Sequence, residues 1–243
     1  MTERVIGVLG GMGPEATASF YEKVIAQTPA GSDQEHLRVI IDANAKVPDR
    51  TAAILRGGPS PVPLMGASVE AIGRAGADFV VIPCVTAHAF LDELQPLISL
   101  PVLSILDVVA EHIRARHPAM TKVGLLATSG TIEARIFDGR LGSEGLEVLV
   151  PERADQGRLM AAIYDLKASR DPKLRAQIGR EVREVGERLV AAKAEGVILG
   201  CTELPLVLKP GDLPVPVFDV LLLLARAAIV AAGRQPVPLE KET

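Results

Sequence analysis

The sequence predicts an α/β fold built from two similar units, each with a mostly parallel sheet flanked by helices. The first observation behind this prediction is that short apolar runs alternate with stretches of helical spacing. The second is an internal repeat at a constant offset of 117 positions, which lays residues 80–82 on residues 197–199 and Cys84 on Cys201. Both cysteines therefore follow equivalent strands, at the edge where parallel sheets bind ligands.

The individual elements follow from the same patterns. Apolar runs predict strands at residues 4–9, 37–41, 79–82 and 102–105, and again at 122–127, 147–150, 196–200 and 215–218. Helical spacing predicts helices at 15–28, 61–75, 87–97, 106–116, 132–141, 155–167, 172–194 and 220–232. The polar stretch up to residue 60 predicts a long loop with about one helical turn. The predicted domains are 1–105 with 216–243, where the final helix packs back, and 106–215.

Composition narrows the class of protein. The chain has 243 residues, of which 48% are hydrophobic, enough for a substantial core. A formal net charge of −4 and 3% aromatic residues argue against a nucleic-acid partner. No apolar run reaches the roughly 18 residues of a membrane span, and the N-terminus does not resemble a signal peptide, so we expect a cytoplasmic protein. In that compartment the two cysteines are expected to be free thiols.

Two turns could bind an anion. The first strand runs into Gly10–Gly13 and a proline at the first helical position, which favours backbone N–H groups that converge at a helix N-terminus. Met12 and Gly13 form this turn, and Ser129 and Thr131 form its counterpart in the second copy. The alternative is an ordinary helix cap or turn. Neither a GxGxxG pattern nor a Walker lysine is present, which argues against nucleotide binding.

The cysteine pair suggests acid–base chemistry. If the two copies are related by an approximate twofold axis, the two sulfurs face each other across a cleft. A thiolate can then remove a proton from one face of a carbon while a thiol protonates the other face. The alternative is that each cysteine only fills a strand end, since buried free cysteines are common. Thr86 and Thr202 could bind a substrate carboxylate or hold the thiols. His88 could lower the thiol pKa or be an ordinary solvated or N-terminal-turn histidine, and Glu203 is the matching candidate beside Cys201.

The sequence resembles the aspartate/glutamate racemase family, specifically its cofactor-independent aspartate racemase branch. Seven motifs along nearly the whole chain support the resemblance: GGMGPEAT at 10–17, DQEH at 33–36, VPDRT at 47–51, PCVTAH at 83–88, GLLATSGTI at 124–132, AIYDLKA at 162–168 and GCTELPL at 200–206. The resemblance implies two Rossmann-like domains with a pseudo-twofold relation and an active site between them. It also implies a homodimer that acts on a small amino acid or dicarboxylate without pyridoxal phosphate, metal or any other cofactor.

The resemblance also implies roles for individual residues. Cys84 and Cys201 correspond to the catalytic acid and base. The residues that correspond to binders of the substrate carboxylates or amino group are Met12, Arg50, Thr86, Thr128, Ser129, Thr131, Lys167 and Thr202. We add Gly13 and Val85 to the substrate site, with Asn44, His88 and Glu203 as supporting residues. The four histidines of the chain show no metal-ligand spacing, so no metal site is expected.

Several positions depart from the family pattern. Val85 stands where the family usually has Asn, and Ala43 replaces the first of two usual Asn residues. After Asp219, the chain has Leu221 and Leu224 where members tend to have Thr and His. A lost buried amide leaves its partner unpaired, at a cost of about 1–3 kcal/mol, unless the substrate lacks the matching group. We therefore expect a substrate with a less polar portion, or a changed reaction.

Three functional hypotheses follow. The leading one is a racemase or epimerase that acts on aspartate, glutamate or a related acid by two-cysteine 1,1-proton transfer. The second keeps the fold but changes the reaction to decarboxylation or cis–trans isomerisation of a small diacid. Decarboxylation needs only one thiol, so the presence of Cys84 and Cys201 together argues against it. The third is a non-catalytic protein that binds small acids.

Overall fold

The computed structural model describes residues 3–239, which form two compact α/β units. The first unit comprises residues 3–108 and 221–239, and the second comprises residues 109–220. The first sheet contains β1 (Ile6–Gly10), β2 (Val39–Ala43), β3 (Phe79–Val81) and β4 (Val102–Leu103). The second sheet contains β5 (Lys122–Leu126), β6 (Glu147–Leu149), β7 (Val197–Leu199) and β8 (Val217–Asp219). Every strand pair is parallel, as predicted.

Helices flank both sheets. They are α1 (Pro14–Gln27), α2 (Arg50–Arg56), α3 (Val62–Arg74), α4 (Leu91–Leu94), α5 (Ile105–Arg116), α6 (Ser129–Glu133), α7 (Asp138–Ser143), α8 (Arg153–Ala168), α9 (Pro172–Ala191) and α10 (Val220–Ala231). Helix α5 begins in the first unit and ends in the second. Within residues 3–239, no helix combines the length and the apolar character needed to cross a membrane. The two parallel sheets with flanking helices confirm the predicted α/β fold.

The two sheets repeat one another in order and register. The strand orders are β2-β1-β3-β4 and β6-β5-β7-β8. Gly7 pairs with Val80 in the first sheet, and Gly124 pairs with Val197 in the second. Both partners in the second sheet lie 117 positions after those in the first, so the offset seen in the sequence is also the offset of the central strand pairing.

The same offset governs how a helix packs on the central strand of each sheet. A Cβ atom on Gly7 would lie 2.4 Å from Ile72 Cγ2 and 2.9 Å from the Phe79 carbonyl oxygen. A Cβ atom on Gly124 would lie 3.1 Å from Leu189 Cδ1. Ile72 on α3 and Leu189 on α9 are also 117 positions apart. In each unit, the glycine on the central strand therefore leaves room for an equivalent side chain of the packed helix.

Three predicted elements differ from the structure. The loop before residue 60 contains α2, a seven-residue helix capped by Asp49, whose side chain accepts the Ala52 N–H at 2.6 Å. The single helix predicted at 87–97 is instead α4 with a 3-10 turn on each side. Pro96 has no N–H to continue an α-helical ladder. In the first 3-10 turn, the His88 side chain is hydrogen-bonded to the Cys84 carbonyl, which the His88 N–H would bond in an α-helix.

The helix predicted at 132–141 is divided into α6 and α7. Helix α6 is followed by Arg135 in a left-handed conformation, with φ 50. The Ile136 N–H donates to the Thr131 carbonyl at 3.3 Å, and the Arg135 N–H donates to the Ile132 carbonyl at 3.0 Å. These two bonds form a Schellman motif, which ends a helix by satisfying its last carbonyl groups.

Segments from both ends of the described chain complete the first unit. The Arg4 N–H donates to the Ala232 carbonyl at 3.1 Å, just after α10. Arg226 on α10 donates to the Val237 carbonyl at 2.7 Å and also contacts the side chain of Gln27 on α1. Helix α10 therefore packs as part of the first unit.

Candidate active site

Cys84 lies just beyond β3 in apolar surroundings. The Cys84 N–H donates to the Ile82 carbonyl at 2.7 Å, which turns the chain at the end of the strand. The residue is only 6% exposed and belongs to a buried cluster that includes Met12, Val47 and Ala87. Apolar side chains therefore pack around this cysteine.

His88 supports the backbone of Cys84 without carrying a charge. Its Nδ1 lies 3.0 Å from the Cys84 carbonyl oxygen, and the Ile105 N–H donates to its Nε2 at 3.3 Å. Because Nε2 accepts a hydrogen bond, Nδ1 holds the proton and donates it to the carbonyl. Burial lowers the pKa of His88 to about 4, so the ring is neutral at pH 7. A neutral His88 has no positive charge with which to lower the Cys84 thiol pKa, so its contact with the Cys84 carbonyl is a backbone support.

The glycine turn after β1 is held by contacts on both sides. Gly11 has φ 89, and a Cβ atom there would lie 2.3 Å from the Asn44 carbonyl carbon, so only glycine fits. Thr17 Oγ1 accepts the Gly11 N–H at 2.9 Å and donates to the Gly13 carbonyl at 2.9 Å. The Asn44 side chain accepts the Lys46 N–H at 3.0 Å. Asn44 thus lies against the predicted anion-binding turn.

Arg50 joins this turn to helix α2. Its guanidinium group donates to the carbonyls of Val47 at 3.2 Å, Pro48 at 2.8 Å and Met12 at 3.1 Å. Its Nε atom is buried and has no hydrogen-bond partner among the described residues. Helix α2 also contacts the 3-10 turn that follows Cys84. The first unit therefore brings Met12, Arg50 and the Cys84 segment into one region.

Cys201 also belongs to a buried apolar cluster, but it has a charged neighbour as well. It follows β7, is 5% exposed, and its Sγ donates to Glu203 Oε2 at 3.1 Å. Thr202 Oγ1 donates to the same oxygen at 3.3 Å. The other oxygen of the carboxylate, Oε1, forms an ion pair with Lys167 Nζ on α8. The second unit therefore assembles four predicted residues into one hydrogen-bonded cluster.

This cluster keeps Cys201 protonated. Burial and the negative charge of Glu203 raise the pKa of the Cys201 thiol well above its ordinary value, while the Lys167 ammonium acts in the opposite direction. The resting sulfur is a thiol whose proton already points at a carboxylate oxygen. Such a group can donate a proton, and it has an acceptor for that proton beside it.

The turn after β5 contains the remaining predicted residues of the second unit. Thr128 caps α6 by accepting the Thr131 N–H at 3.1 Å, and the two hydroxyl groups lie 3.0 Å apart. Gln156 on α8 donates from Nε2 to the Ala127 carbonyl and to Ser129 Oγ, both at 3.1 Å. Gln156 was not predicted as a site residue, because it lies in an ordinary helical stretch 27 positions after Ser129.

The structure divides the predicted residues between the units. The first unit contains Met12, Gly13, Asn44, Arg50, Cys84, Val85, Thr86 and His88, and the second contains Thr128, Ser129, Thr131, Lys167, Cys201, Thr202 and Glu203. Of the positions that depart from the family pattern, Val85, Leu221 and Leu224 are buried, whereas Ala43 is exposed. Within residues 3–239, no group of three or more His, Cys, Asp or Glu side chains is arranged to hold a metal ion.

Comparison with known proteins identifies the class to which this fold and these residues belong. The family model for Asp/Glu/hydantoin racemases matches residues 9–228, so the chain belongs to that family. This confirms the resemblance inferred from the sequence motifs.

Individual relatives match along almost the whole chain. The chain is 27% identical over 231 residues to the broad specificity amino-acid racemase RacX of Bacillus subtilis, covering 93% of this chain and 96% of that protein. It is similar in structure to the aspartate racemase of Picrophilus torridus, with a TM-score of 0.82 and 28% identity over 96% of each chain. An aspartate racemase homologue from Pyrococcus horikoshii matches with a TM-score of 0.74 and 32% identity, covering 95% of this chain and 100% of that chain.

Proposed function

We propose that the chain is an amino-acid racemase that needs no pyridoxal phosphate and uses Cys84 and Cys201 as its two proton-transfer groups. Membership of the racemase family implies isomerase activity. The observation that best supports the finer proposal is the Cys201 thiol, which donates to Glu203 at the strand end equivalent to that of Cys84. A cysteine with an adjacent proton acceptor is suited to acid–base work rather than to packing alone.

The proposed reaction is a 1,1-proton transfer at the α-carbon. One sulfur, as thiolate, takes the α-proton, and the electron pair of the broken C–H bond stays on the substrate as a carbanion. The other sulfur, as thiol, gives its proton to the opposite face and becomes a thiolate. The configuration is inverted, and each sulfur ends in the protonation state in which the other began. Glu203 is the group beside Cys201 that accepts its proton and returns it.

The binding roles follow from the donors in each unit. Arg50 is anchored on three carbonyl groups and keeps a buried, unpartnered Nε–H, which suits it to bind an anionic group beside the Met12–Gly13 turn. Thr86 and Thr202 flank the two cysteines in sequence. Hydroxyl groups of Thr128, Ser129 and Thr131, together with Lys167, are proposed to bind a substrate carboxylate or amino group.

The substrate is proposed to be aspartate, glutamate or a related amino acid. Val85 and Leu221 are buried apolar residues where family members usually have polar ones. This favours a substrate with a less polar portion, as does the similarity to a racemase whose name states broad specificity. We also propose that the protein is a homodimer, which sedimentation of the purified chain would test.

Solvent exchange tests the reaction directly. Each L- and D-amino acid is incubated in D2O with the protein and without pyridoxal phosphate, and loss of the Cα–H signal is followed by NMR. We expect exchange and racemisation of at least one amino acid, with both lost in Cys84→Ser and in Cys201→Ser. Absence of exchange across the panel contradicts the racemase proposal. Racemisation that survives either substitution contradicts the two-cysteine mechanism.

A further inference from the structure

One face of α8 lies against the carboxyl ends of strands in the second sheet. Gln156 Nε2 donates to the Ala127 carbonyl and to Ser129 Oγ, both at 3.1 Å, in the turn that follows β5. Met160, one helical turn further along, accepts the Ser129 N–H on its sulfur at 3.4 Å. The last turn of the same helix carries the lysine of the charged cluster beside Cys201. A single helix therefore reaches both the Ser129 turn and the Cys201 cluster.

The partners of the Gln156 amide determine its orientation. A carbonyl oxygen can only accept a hydrogen bond, so the amide nitrogen must face Ala127. Both N–H bonds of that nitrogen are then used, one on Ala127 and one on Ser129. The amide oxygen, Oε1, is buried and accepts no hydrogen bond from residues 3–239. A buried acceptor without a donor costs free energy, so the presence of one beside a candidate binding turn calls for a functional reason.

Ser129 supplies the complementary donors. Because Ser129 Oγ accepts a hydrogen bond from Gln156, its own O–H points away from the amide. Ser129 is half-buried, which leaves that proton within reach of a ligand acceptor. Its backbone N–H is a second donor, and the Met160 thioether that accepts it is a weak acceptor. Gln156 and Ser129 thus place an acceptor and two donors side by side.

Met160 is the adaptable part of this arrangement. Methionine has three rotatable bonds and a soft thioether, and side chains of a helix lean towards its N-terminus, which directs Met160 towards Gln156. A carboxylate oxygen is a stronger acceptor for the Ser129 N–H than a thioether sulfur is. A ligand carboxylate can therefore take the place of the Met160 sulfur, and the displaced side chain opens the way to the Gln156 amide oxygen.

We propose that Gln156 and Ser129 together recognise the α-amino-acid group: Ser129 donates to the α-carboxylate, and Gln156 Oε1 accepts an N–H of the α-ammonium. The two groups of the ligand are borne by one carbon, and the two side chains are joined by one hydrogen bond. An acid without an amino group satisfies Ser129 but leaves Oε1 unpaired, so the second unit selects amino acids over the corresponding plain acids. The inference rests on the proposed racemase function, to which it adds a specificity-determining residue.

Matched pairs of ligands test this selection. L-aspartate is compared with succinate, L-glutamate with glutarate and L-leucine with 4-methylpentanoate, because the members of each pair differ only in the amino group. Titration calorimetry of the full-length protein gives both Kd values of each pair. We expect at least one amino acid to bind about tenfold or more tightly than its partner, and Gln156→Leu to reduce this preference about fivefold or more.

Three further variants separate recognition from structural support. Gln177→Leu, at an exposed glutamine on α9, is the matched control and should keep the wild-type preference. Ser129→Ala should weaken both members of a pair equally, because both carry the carboxylate. Gln156→Met provides a second variant if Gln156→Leu does not fold. A purely structural Gln156 would also weaken both members equally. The proposal is overturned if the folded Gln156 variant keeps the wild-type preference, or if no amino acid binds the wild type more tightly than its partner.

These outcomes are distinct from those of the exchange assay. A preference for amino acids that depends on Gln156, in a protein that exchanges no Cα–H, would leave the recognition standing and remove the racemase proposal. Exchange in the wild type with a preference that Gln156→Leu does not change would remove the recognition alone.

Discussion

The two cysteines occupy equivalent places in the repeated units, and each belongs to a buried apolar cluster, but their polar neighbours differ. Cys84 lies among apolar side chains, and the histidine beside it is neutral and bonded to a backbone carbonyl. Cys201 donates to a carboxylate that is paired with an ammonium. At the constant offset, Thr86 stands in the position of Glu203. The repeat thus determines where each sulfur lies, and the neighbouring side chains determine its proton affinity.

The backbone comparison shows how much of the repeat is shared. The central strand pairs keep the same register, and the glycine that admits a helix side chain recurs at Gly7 and Gly124. Differences are concentrated in the residues after each central strand. A duplicated scaffold can therefore give two thiols with different chemistry without any change in strand order.

The largest expected effect comes from removing the charge beside Cys201. Glu203→Gln keeps the shape of the side chain but removes its ability to take the thiol proton. We expect kcat for racemisation to fall about a hundredfold or more, the usual contribution of a proton-transfer group. Glu187→Gln, an exposed position on α9, is the matched control. Unchanged kcat in Glu203→Gln would mean that Cys201 does not depend on Glu203 as a proton acceptor.

The neutral histidine beside Cys84 makes a second prediction, on stability against pH. Burial lowers the His88 pKa from 6.5 to about 4, so the unfolded chain binds this proton more tightly than the folded one. The folded state keeps its full stability with respect to His88 above pH 6.5. As the pH falls towards 4, the free energy of unfolding drops by up to about 3 kcal/mol, because the unfolded chain binds the proton first. Urea unfolding of the wild type and of His88→Gln across this range should show a smaller loss in the variant. Parallel pH curves would contradict a buried neutral ring.

The repeated glycines offer a third comparison. In Gly7→Ala the new Cβ meets the Phe79 carbonyl oxygen at 2.9 Å, a backbone atom that cannot move aside. In Gly124→Ala the nearest atom is Leu189 Cδ1 at 3.1 Å, on a side chain that can adjust. We expect the free energy of unfolding to drop by about 2 kcal/mol for Gly7→Ala and by less than about 1 kcal/mol for Gly124→Ala. Equal losses would show that the two units pack equally tightly here.

The smallest expected effect concerns the support of the turn in the second unit. Gln156→Leu removes two hydrogen bonds, to the Ala127 carbonyl and to Ser129 Oγ. The free energy of unfolding should fall by about 1 kcal/mol, because the carbonyl and the hydroxyl group can in part be rehydrated. If Ser129 binds substrate, KM should rise while kcat changes little. An unchanged KM would argue that Ser129 is not part of the binding site.

The fold could be predicted because its repeat is visible in apolar side chains. The offset of 117 positions appears in strands whose residues are almost all buried, and buried positions constrain residue type strongly. Helix ends were predicted less well. The Schellman motif at Arg135 uses a non-glycine residue with positive φ, and residue preference gives no warning of it.

The contacts of the candidate site could be predicted where its residues follow a strand end directly in the sequence. Glu203 was chosen for its position two residues after Cys201, and the structure bonds the two side chains. Contacts between distant elements were not predictable: nothing in a single sequence pairs Lys167 with Glu203, or Gln156 with Ser129. The neutral state of His88 could not be predicted, because the burial that lowers its pKa depends on packing against the start of α5 and not on local sequence.

The way α10 completes the first unit has a consequence for biosynthesis. The second unit is one continuous stretch, so it is complete once residue 220 has been translated. The first unit is begun earlier but needs residues 221–239, including the Ala232 carbonyl that accepts the Arg4 N–H. Because domains fold as units during synthesis, the unit with Cys201 can fold first and the unit with Cys84 last. The nascent chain therefore keeps part of the first unit's apolar surface exposed until residues 221–239 have been translated, and that surface is open to aggregation or to a chaperone in the interval.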